Sequence, residues 1–393
     1  MKPARRVFVY VQHLLGIGHL RRAATIANAL TSAGMEVTLA SGGFPVAGLR
    51  LEGVRFIQLP PAASADATFK VLVGEDRRPV DDLWKTARRE QLLRAWRDTS
   101  AHVLITELYP FGRRQMKFEL LSLLEDADSN SKRPVILCSV RDVLGGGRSD
   151  AKRQLEMLGI FERYYDGLLV HSDPSVIPFD MSYGFVGRIG RKLRYTGYVV
   201  DDIGLSESGS IASGRDEVIV SAGGGAVGMQ LLETAIRARP ITQLAGRTWR
   251  LLCGVNASTS DMERLVQMGG IDGEPGSIVV EKSRPDFSRM LPNCAVSINQ
   301  GGYNTVLEVV RAGARSVVVP FSAGAELEQT LRAQAFAARG LIEMVRESEM
   351  TPQSLAVAID RVAARPRPAT CVDLNGARNT AALVEAWVED RQS

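Results

Sequence analysis

Short apolar runs alternate with longer amphipathic segments along most of the chain. Val7 to Val11 is a run of branched and aromatic residues, whereas Arg21 to Ala33 carries its apolar residues on one helical face. The first pattern predicts a strand and the second a helix. Strands that are apolar throughout are typical of a parallel sheet covered by helices on both faces. The strands predicted in the first array are Val7–Val11, Glu36–Ala40, Val54–Leu59, His102–Thr106, Pro134–Ser139 and Gly167–His171.

The alternation stops near residue 205 and then begins again. Residues 205–215 are rich in Ser and Gly and have no apolar period, which predicts a linker. A second array follows, with strands predicted at Glu217–Ser221, Arg250–Cys253, Ser277–Val280, Ala295–Ile298 and Ser316–Val319. The sequence therefore predicts an α/β protein with two Rossmann-like domains, residues 1–204 and 216–372, that face each other across a cleft. Residues 373–393 form a C-terminal helix whose apolar face can pack back on the first domain.

Composition narrows the range of functions. The formal net charge of +4 over 393 residues, with only short basic clusters such as Lys85–Arg89, argues against a nucleic-acid partner. Four cysteines without CxxC spacing favour a reducing compartment and disfavour structural zinc. No uncharged apolar run reaches the length of a membrane span, and the apolar N-terminal stretch is interpreted as a strand, not a signal peptide. We expect a cytoplasmic protein that requires no cofactor or metal.

The first glycine-rich turn contains the most informative histidine. Gly16-Ile-Gly18-His19 follows a strand and opens a helix, where backbone N–H groups can approach a ligand. Helix-end polarity disfavours the imidazolium, so His19 is available as a neutral general base. The alternative is a histidine that only caps the helix. Arg21 stands where GxGxxG needs its third glycine, which disfavours an NAD site.

Two glycine-rich turns of the second array predict the donor site. Each lies between a strand and a helix, where N–H groups can hold a diphosphate. Glu308 lies about one helical turn beyond Asn304 and Thr305, and its carboxylate suits the two hydroxyls of a ribose. The predicted donor-binding residues are Gly18 of the first array and, in the second array, Gly223, Gly224, Gly225, Arg284, Gly301, Gly302, Asn304, Thr305, Glu308, Glu328 and Gln329.

Polar residues also follow the predicted strands of the first array, at the edge where parallel sheets bind ligands. Glu107 and Asp142 are alternative bases to His19, and Arg141 and His171 are candidates for the acceptor side. Each is also compatible with a helix cap or a loop hydrogen bond. Residues 62–79 lack periodicity and predict a mobile loop or a lid.

These motifs resemble the GT-B glycosyltransferases of the MurG-like, family 28-like group. The glycine loop ending at His19 is similar to the family's acceptor-side loop, and Glu308 matches its ribose-binding glutamate by its distance from Gly313 and Pro320. Glu328 and Gln329 fall near the family's sugar-contacting glutamines, and residues 281–286 fall where its backbone recognises the base. Glu at position 328 departs from that pattern. GIGHLRR is also similar to a nucleotide-sugar hydrolase of the pseudaminic acid pathway.

The resemblance implies an inverting, metal-independent glycosyltransferase that moves a sugar from a nucleoside diphosphate sugar, UDP-linked in the first instance, to an acceptor hydroxyl. The acceptor is a saccharide or a lipid-linked molecule, and the latter implies peripheral contact with the inner face of a membrane. Three alternatives stay open: a nucleotide-sugar hydrolase, a non-hydrolytic epimerase and a non-catalytic nucleotide-sugar-binding protein.

Overall fold

The computed structural model describes residues 4–66, 70–145, 151–201, 214–223, 228–254, 257–270, 277–321 and 327–391. The chain forms two compact units. The first contains Met1–Val200 together with Val372–Ser393, and the second contains Asp201–Cys371. Most of the predicted linker, 205–213, lies outside the described residues.

The first unit contains a sheet whose described strands are all parallel, in the order β3-β2-β1-β6-β7-β8-β9. A two-stranded antiparallel pair, β4 with β5, lies within the stretch predicted as a loop or lid. The elements of this unit up to residue 195 are β1 (Arg6–Val11), α1 (Gly18–Ser32), β2 (Glu36–Ser41), β3 (Arg55–Gln58), β4 (Ala63–Ser64), β5 (Leu72–Val73), α2 (Asp82–Thr99), β6 (Val103–Glu107), α3 (Lys117–Asp128), β7 (Val135–Arg141), α4 (Ala151–Tyr164), β8 (Gly167–His171), α5 (Val186–Ile189) and β9 (Leu193–Tyr195).

The central strands are mostly apolar because helices cover both faces of the sheet. Phe8 and Tyr10 of β1 point into a core that includes Leu92 of α2 and Leu120 of α3. The alternate residues of β1 pack on the other face with residues of α1 such as Ile26. Successive side chains of a strand point to opposite faces, so a strand between two helical layers needs apolar residues at every position.

The second unit repeats this plan with a smaller parallel sheet, whose described strands follow the order β12-β11-β10-β13-β14-β15. Its core includes Val220, Leu251 and Ile298 from three neighbouring strands. The elements are β10 (Val218–Ser221), α6 (Met229–Ala238), β11 (Trp249–Cys253), α7 (Thr259–Gly269), β12 (Ile278–Lys282), α8 (Phe287–Met290), β13 (Val296–Asn299), α9 (Tyr303–Arg311), β14 (Ser316–Val318), α10 (Glu328–Ala337), β15 (Glu343–Met344) and α11 (Pro352–Ala363).

The chain then returns to the first unit and ends in α12 (Gly376–Asp390), which packs against α1. Val384 and Val388 join the core beneath that helix pair. Gly376 approaches the backbone of Tyr198 so closely that a Cβ at Gly376 would lie 2.6 Å from the Tyr198 carbonyl oxygen. A side chain there would push α12 away, which explains the glycine.

Candidate active site

The loop between β1 and α1 brings His19 to the carboxyl edge of the first sheet. α1 begins at Gly18. The side chain of the preceding residue, Ile17, does not cap the helix, and the first turn contains no acidic residue. Neither Ile17 nor an acidic side chain of the first turn therefore accepts a hydrogen bond from the first N–H groups of α1. His19, one residue further along, has 12% of its side chain exposed.

His19 rests on a buried carboxylate. Its Nδ1 lies 3.0 Å from Oε1 of Glu107, the last residue of β6, whose side chain is 1% exposed. Arg22, one turn along α1, donates to the same Oε1, and its Nη2 lies 3.1 Å from His19 Nδ1. An ionised carboxylate only accepts hydrogen bonds, so Nδ1 carries the proton when it bonds to Glu107. Nε2 then holds the lone pair, and it has no hydrogen-bond partner among the described residues.

Electrostatics keep both members of this pair in the required state. Burial, and then the charge of Arg113, lower the pKa of His19 well below its ordinary value, although the hydrogen bond to Glu107 opposes the shift. Burial alone would raise the pKa of Glu107, but Arg22 and the hydrogen bonds from His19 and Ser139 hold it well below its usual range. At neutral pH the pair is therefore a neutral imidazole on an ionised carboxylate. This arrangement can accept a proton at Nε2.

The structure does not place Glu107 in the exposed position expected of the alternative base that the sequence predicted. Its two oxygens are taken by His19, Arg22 and Ser139, and it is buried beneath the histidine. Asp142, the other alternative base, is 0% exposed, and its Oδ1 accepts the backbone N–H of Val143 at 2.9 Å. A buried carboxylate with these partners is not presented to an acceptor, so neither residue has the exposed position that the sequence predicted for a base.

A line of buried hydrogen bonds continues behind Glu107. Ser139 Oγ donates to Glu107 Oε2 at 2.5 Å and lies 2.9 Å from His171 Nε2. Since the serine proton points to Glu107, Nε2 of His171 must donate to Ser139, which leaves Nδ1 to face the Thr196 hydroxyl at 2.8 Å. Burial, followed by the charge of Arg22, lowers the pKa of His171 to about 3. His171 is 0% exposed and lies behind the His19–Glu107 pair. Contrary to the prediction, it is therefore not placed to contact an acceptor.

This neutral buried histidine predicts a pH-dependent stability. In the unfolded chain His171 takes up a proton below about pH 6.5, whereas in the folded chain it does so only near pH 3. The unfolded state therefore binds more protons in this window, and stability is lost as pH falls. Between pH 7.5 and 5.5 we expect His171 to account for a loss of about 1.4 kcal/mol in the free energy of unfolding. Denaturant unfolding of His171→Gln at both pH values should show a pH difference smaller by that amount, and an unchanged difference would contradict the assignment.

In the second unit, the loop after β13 forms the start of α9. Gly302 precedes the helix, with no side-chain cap and no acidic residue in the first turn. Gly301 is enclosed, since a Cβ there would lie 3.2 Å from Gln329 Cβ and 3.3 Å from Pro320 Cβ. Glycine therefore lets the loop pass beneath Gln329. Asn304 and Thr305, in the first turn, and Glu308, in the second, are all partly buried.

A cavity of about 260 Å³ lies at the same edge of the second sheet. It is bordered by the start of α6, by Gln300 and Phe321 and by Glu347. Gly228 lines the cavity and precedes α6, which has no side-chain cap at Gly228 and no acidic residue in its first turn. The sequence did not single out Gln300, which adjoins Gly301, or Glu347, which lies far along the chain. Gly223 has a left-handed φ of 71° before this turn, and Gly224 and Gly225 lie outside the described residues.

Three predicted donor residues have other partners in the structure. Glu328 is buried, and its Oε1 accepts from Arg332 Nη2 at 2.9 Å, while Arg332 Nη1 donates to the Gly301 carbonyl at 3.1 Å. Its carboxylate thus supports the glycine loop through Arg332, a correction to the predicted sugar contact. Arg284 forms two parallel hydrogen bonds of 2.8 Å with Asp286, so its charge is already compensated. Gln329 is partly buried, and its Oε1 accepts the backbone N–H of Phe321 at 3.1 Å.

Among the described residues, no cluster of three or more His, Cys, Asp or Glu side chains could hold a metal ion. No helix in the described part of the chain has the length and apolar character needed to span a membrane. The first unit therefore carries a neutral imidazole held on a carboxylate, and the second unit, described by itself, carries two helix starts without a side-chain cap.

Parts of this chain are similar in sequence to known proteins. Residues 220–381 match the glycosyltransferase family 28 C-terminal domain. A 165-residue segment is 29% identical to the O-mycaminosyltylonolide 6-deoxyallosyltransferase of Streptomyces fradiae, covering 39% of each chain. A segment of 83 residues, 21% of this chain, is 31% identical to 22% of the UDP-N-acetylglucosamine--N-acetylmuramyl-(pentapeptide) pyrophosphoryl-undecaprenol N-acetylglucosamine transferase of Rhodospirillum centenum. These matches span less than half the length of either enzyme.

Solved structures resemble the whole chain. The glycotransferase of kitacinnamycin has a TM-score of 0.62 at 15% identity, with 100% of both chains covered. MurG of Acinetobacter baumannii has a TM-score of 0.58 at 15% identity, with 98% of this chain and 99% of that chain covered. At such identities the likeness establishes the fold.

Proposed function

We propose that this chain, which has the GT-B fold and carries a glycosyltransferase family 28 C-terminal domain at residues 220–381, transfers a sugar from a nucleoside diphosphate sugar to an acceptor hydroxyl. The two Rossmann-like units and the MurG-like resemblance that the sequence predicted are confirmed. The activity itself rests on one observation above all: Nε2 of a neutral His19, held on Glu107, has no partner within the described residues.

The proposed reaction is a single displacement. Nε2 of His19 takes the proton of the acceptor hydroxyl, and the acceptor oxygen forms a bond to the anomeric carbon. The bond from that carbon to the diphosphate oxygen breaks, and the nucleoside diphosphate leaves with the electron pair. One displacement inverts the anomeric centre. The helix starts at Gly302 and Gly228 supply N–H groups for the leaving charge, which makes a metal ion unnecessary.

The substrates follow from chemistry and from relatives. A partly buried Glu308 beyond the α9 start suits a ribose diol, so we assign the donor to nucleotides that keep both ribose hydroxyls and take UDP-sugars as the first candidates. One relative acts on a pyrophosphoryl-undecaprenol and another on a tylonolide derivative. We therefore propose a lipid-linked or natural-product acceptor, and for a lipid-linked one a cytoplasmic protein at the inner face of the membrane.

A product analysis tests this function. The full chain is incubated with UDP-sugars, alone and with acceptor alcohols, and both UDP and free sugar are measured. Transfer predicts that UDP release depends on the acceptor and that the sugar appears on it with inverted configuration. Free sugar formed at a rate that no acceptor changes would identify a hydrolase instead, and conversion of the sugar without transfer would identify an epimerase.

A further inference from the structure

One arginine of α2 is completely buried, although it belongs to a basic cluster of the sequence. Arg88 is 0% exposed, and its Nε and Nη2 donate to the two carboxylate oxygens of Glu119 on α3, at 2.7 and 2.9 Å. Burial acts to lower the pKa of Arg88, but the ion pair with Glu119 opposes it, and the pKa is raised. The guanidinium therefore stays charged although it is buried.

The other N–H groups of Arg88 bind three loops at the carboxyl edge of the first sheet. Nη2 donates to Gln12 Oε1, directly after β1, at 2.6 Å. Nη1 donates to the carbonyl of Gly42, directly after β2, at 2.9 Å, and to that of Pro60, after β3. A Cβ at Gly42 would collide with Arg88 Nη2 and Gln12 Oε1, which explains the glycine. With the bonds to Glu119, all five N–H groups of the guanidinium are used, so one side chain fixes three loops relative to one another.

Gln12 extends this constraint to the glycine loop, the segment between β1 and His19. Gln12 is the first residue of that loop and is 0% exposed. Its Nε2 donates to the carbonyl of Ala62, in the segment that follows β3, at 2.9 Å. Two residues further along the glycine loop, the carbonyl of Leu14 accepts the backbone N–H of Ser64 at 3.0 Å. The path of the chain toward His19 is therefore set by the loops that Arg88 binds.

The ion pair of Arg88 and Glu119 is poorly explained by stability alone. Removing two charges from water costs free energy that their attraction roughly offsets, and apolar side chains of similar volume often stabilise a core as well or better. Apolar side chains, however, do not hold loops at fixed points, whereas a fully satisfied polar network does. Loops at the carboxyl edge of a parallel sheet are where ligands bind. The network is therefore better explained by the loops that it orders.

We propose that Arg88 is a positioning residue for sugar transfer: it fixes the loops after β1, β2 and β3 on the acceptor side and thereby holds His19 on Glu107. Since Arg88 is 0% exposed, it acts through Gln12 and the glycine loop, not by contact with a substrate. The effect on transfer rests on the proposed function, whereas the anchoring of the loops can be measured without it.

An apolar replacement of the network tests this role. Tyr10→Phe/Arg88→Met/Glu119→Leu removes the polar groups at nearly constant volume, and Tyr10 is included because its hydroxyl donates to Glu119. We expect this triple variant of the full chain to unfold within about 4 °C of the native protein and to keep its affinity for UDP. Its kcat for transfer should nevertheless fall about tenfold or more, because small displacements of a base have large effects on rate. Arg94→Met removes an exposed arginine from the same helix and should keep the native kcat.

Two further measurements follow the loops without any transfer reaction. At pH 7 the ring nitrogen NMR signals of His19, assigned with His19→Gln, should be those of the Nδ1–H tautomer in the native protein and in Arg94→Met. In the triple variant they should be those of a tautomer mixture. The backbone amide of Ser64, which donates to the Leu14 carbonyl, should exchange its hydrogen about tenfold faster or more in the triple variant.

Gln12→Met is the second variant, because it leaves the Arg88–Glu119 pair in place and removes only the link to the glycine loop. It should change the His19 signals and lower kcat as the triple variant does, and it decides the question if the triple variant does not fold. Native His19 signals and native kcat in Gln12→Met, or in a folded triple variant, would overturn the proposal. If the native chain transferred no sugar, the proposed function would fail, while the His19 and Ser64 signals would still test the anchoring.

Discussion

His19→Gln should lower kcat for sugar transfer on the order of a hundredfold or more while leaving the affinity for the nucleotide donor unchanged. Glutamine can occupy the space and bond to Glu107, but it cannot accept a proton from an acceptor hydroxyl. The donor site is assigned to the second unit, whereas His19 belongs to the first. The substitution should therefore separate chemistry from donor binding, which initial-rate kinetics and UDP titration measure independently.

His102→Gln provides the matched control. His102 precedes β6 and so lies at the amino edge of the sheet, opposite the edge that carries His19, and its Nδ1 accepts the backbone N–H of Arg6 at 3.0 Å. This variant should retain kcat within about twofold. If His19→Gln retained activity to the same extent as His102→Gln, His19 would not be the base, and a non-catalytic role for the histidine would be favoured.

Glu308→Gln should weaken donor binding about thirtyfold or more without a comparable change in the fold. A carboxylate that accepts from both ribose hydroxyls makes two charge-assisted hydrogen bonds, and bonds to charged groups contribute about 1.5–3 kcal/mol each. The amide accepts less strongly and presents N–H groups to one hydroxyl. Since 1.4 kcal/mol corresponds to tenfold in Kd, loss of about 2 kcal/mol gives the expected factor.

Nucleotide analogues make this test specific. The native protein should bind UDP more tightly than its 2′,3′-dideoxy analogue, and Glu308→Gln should bind the two almost equally. Glu263→Gln, on the exposed face of α7, removes a carboxylate from the same unit and should keep the native preference. If the native protein bound UDP and the dideoxy analogue with equal affinity, Glu308 would not be the residue that binds the ribose hydroxyls.

The central strands and the glycine turns could be predicted from the sequence because their signals are local. β1 and β10 contain runs of apolar residues, and each is followed by a turn containing glycine and a helix. The edge strands β9 (Leu193–Tyr195) and β15 (Glu343–Met344) were missed because they are short and only partly buried, so they carry no apolar run. The pair β4–β5 was missed because each of its strands has only two residues.

The roles of individual side chains were harder to predict because they depend on contacts between distant segments. Sequence identified both His19 and Glu107, but only the pairing of β1 with β6 brings the carboxylate beneath the histidine. Likewise, the sequence predicts Glu328 as a sugar ligand. In the structure Glu328 instead binds Arg332, a buried residue one helical turn away.

The most direct test is to measure the melting temperature of the full chain in the presence of nucleoside diphosphates and their sugars. A ligand that binds only the folded state raises the melting temperature of the protein. We predict that UDP and at least one UDP-sugar raise it in the native protein and in His19→Gln, and that the rise is largely lost in Glu308→Gln. A melting temperature that no nucleoside diphosphate changes, or a rise that Glu308→Gln leaves intact, would contradict the assignment of a nucleotide-sugar to the starts of α6 and α9.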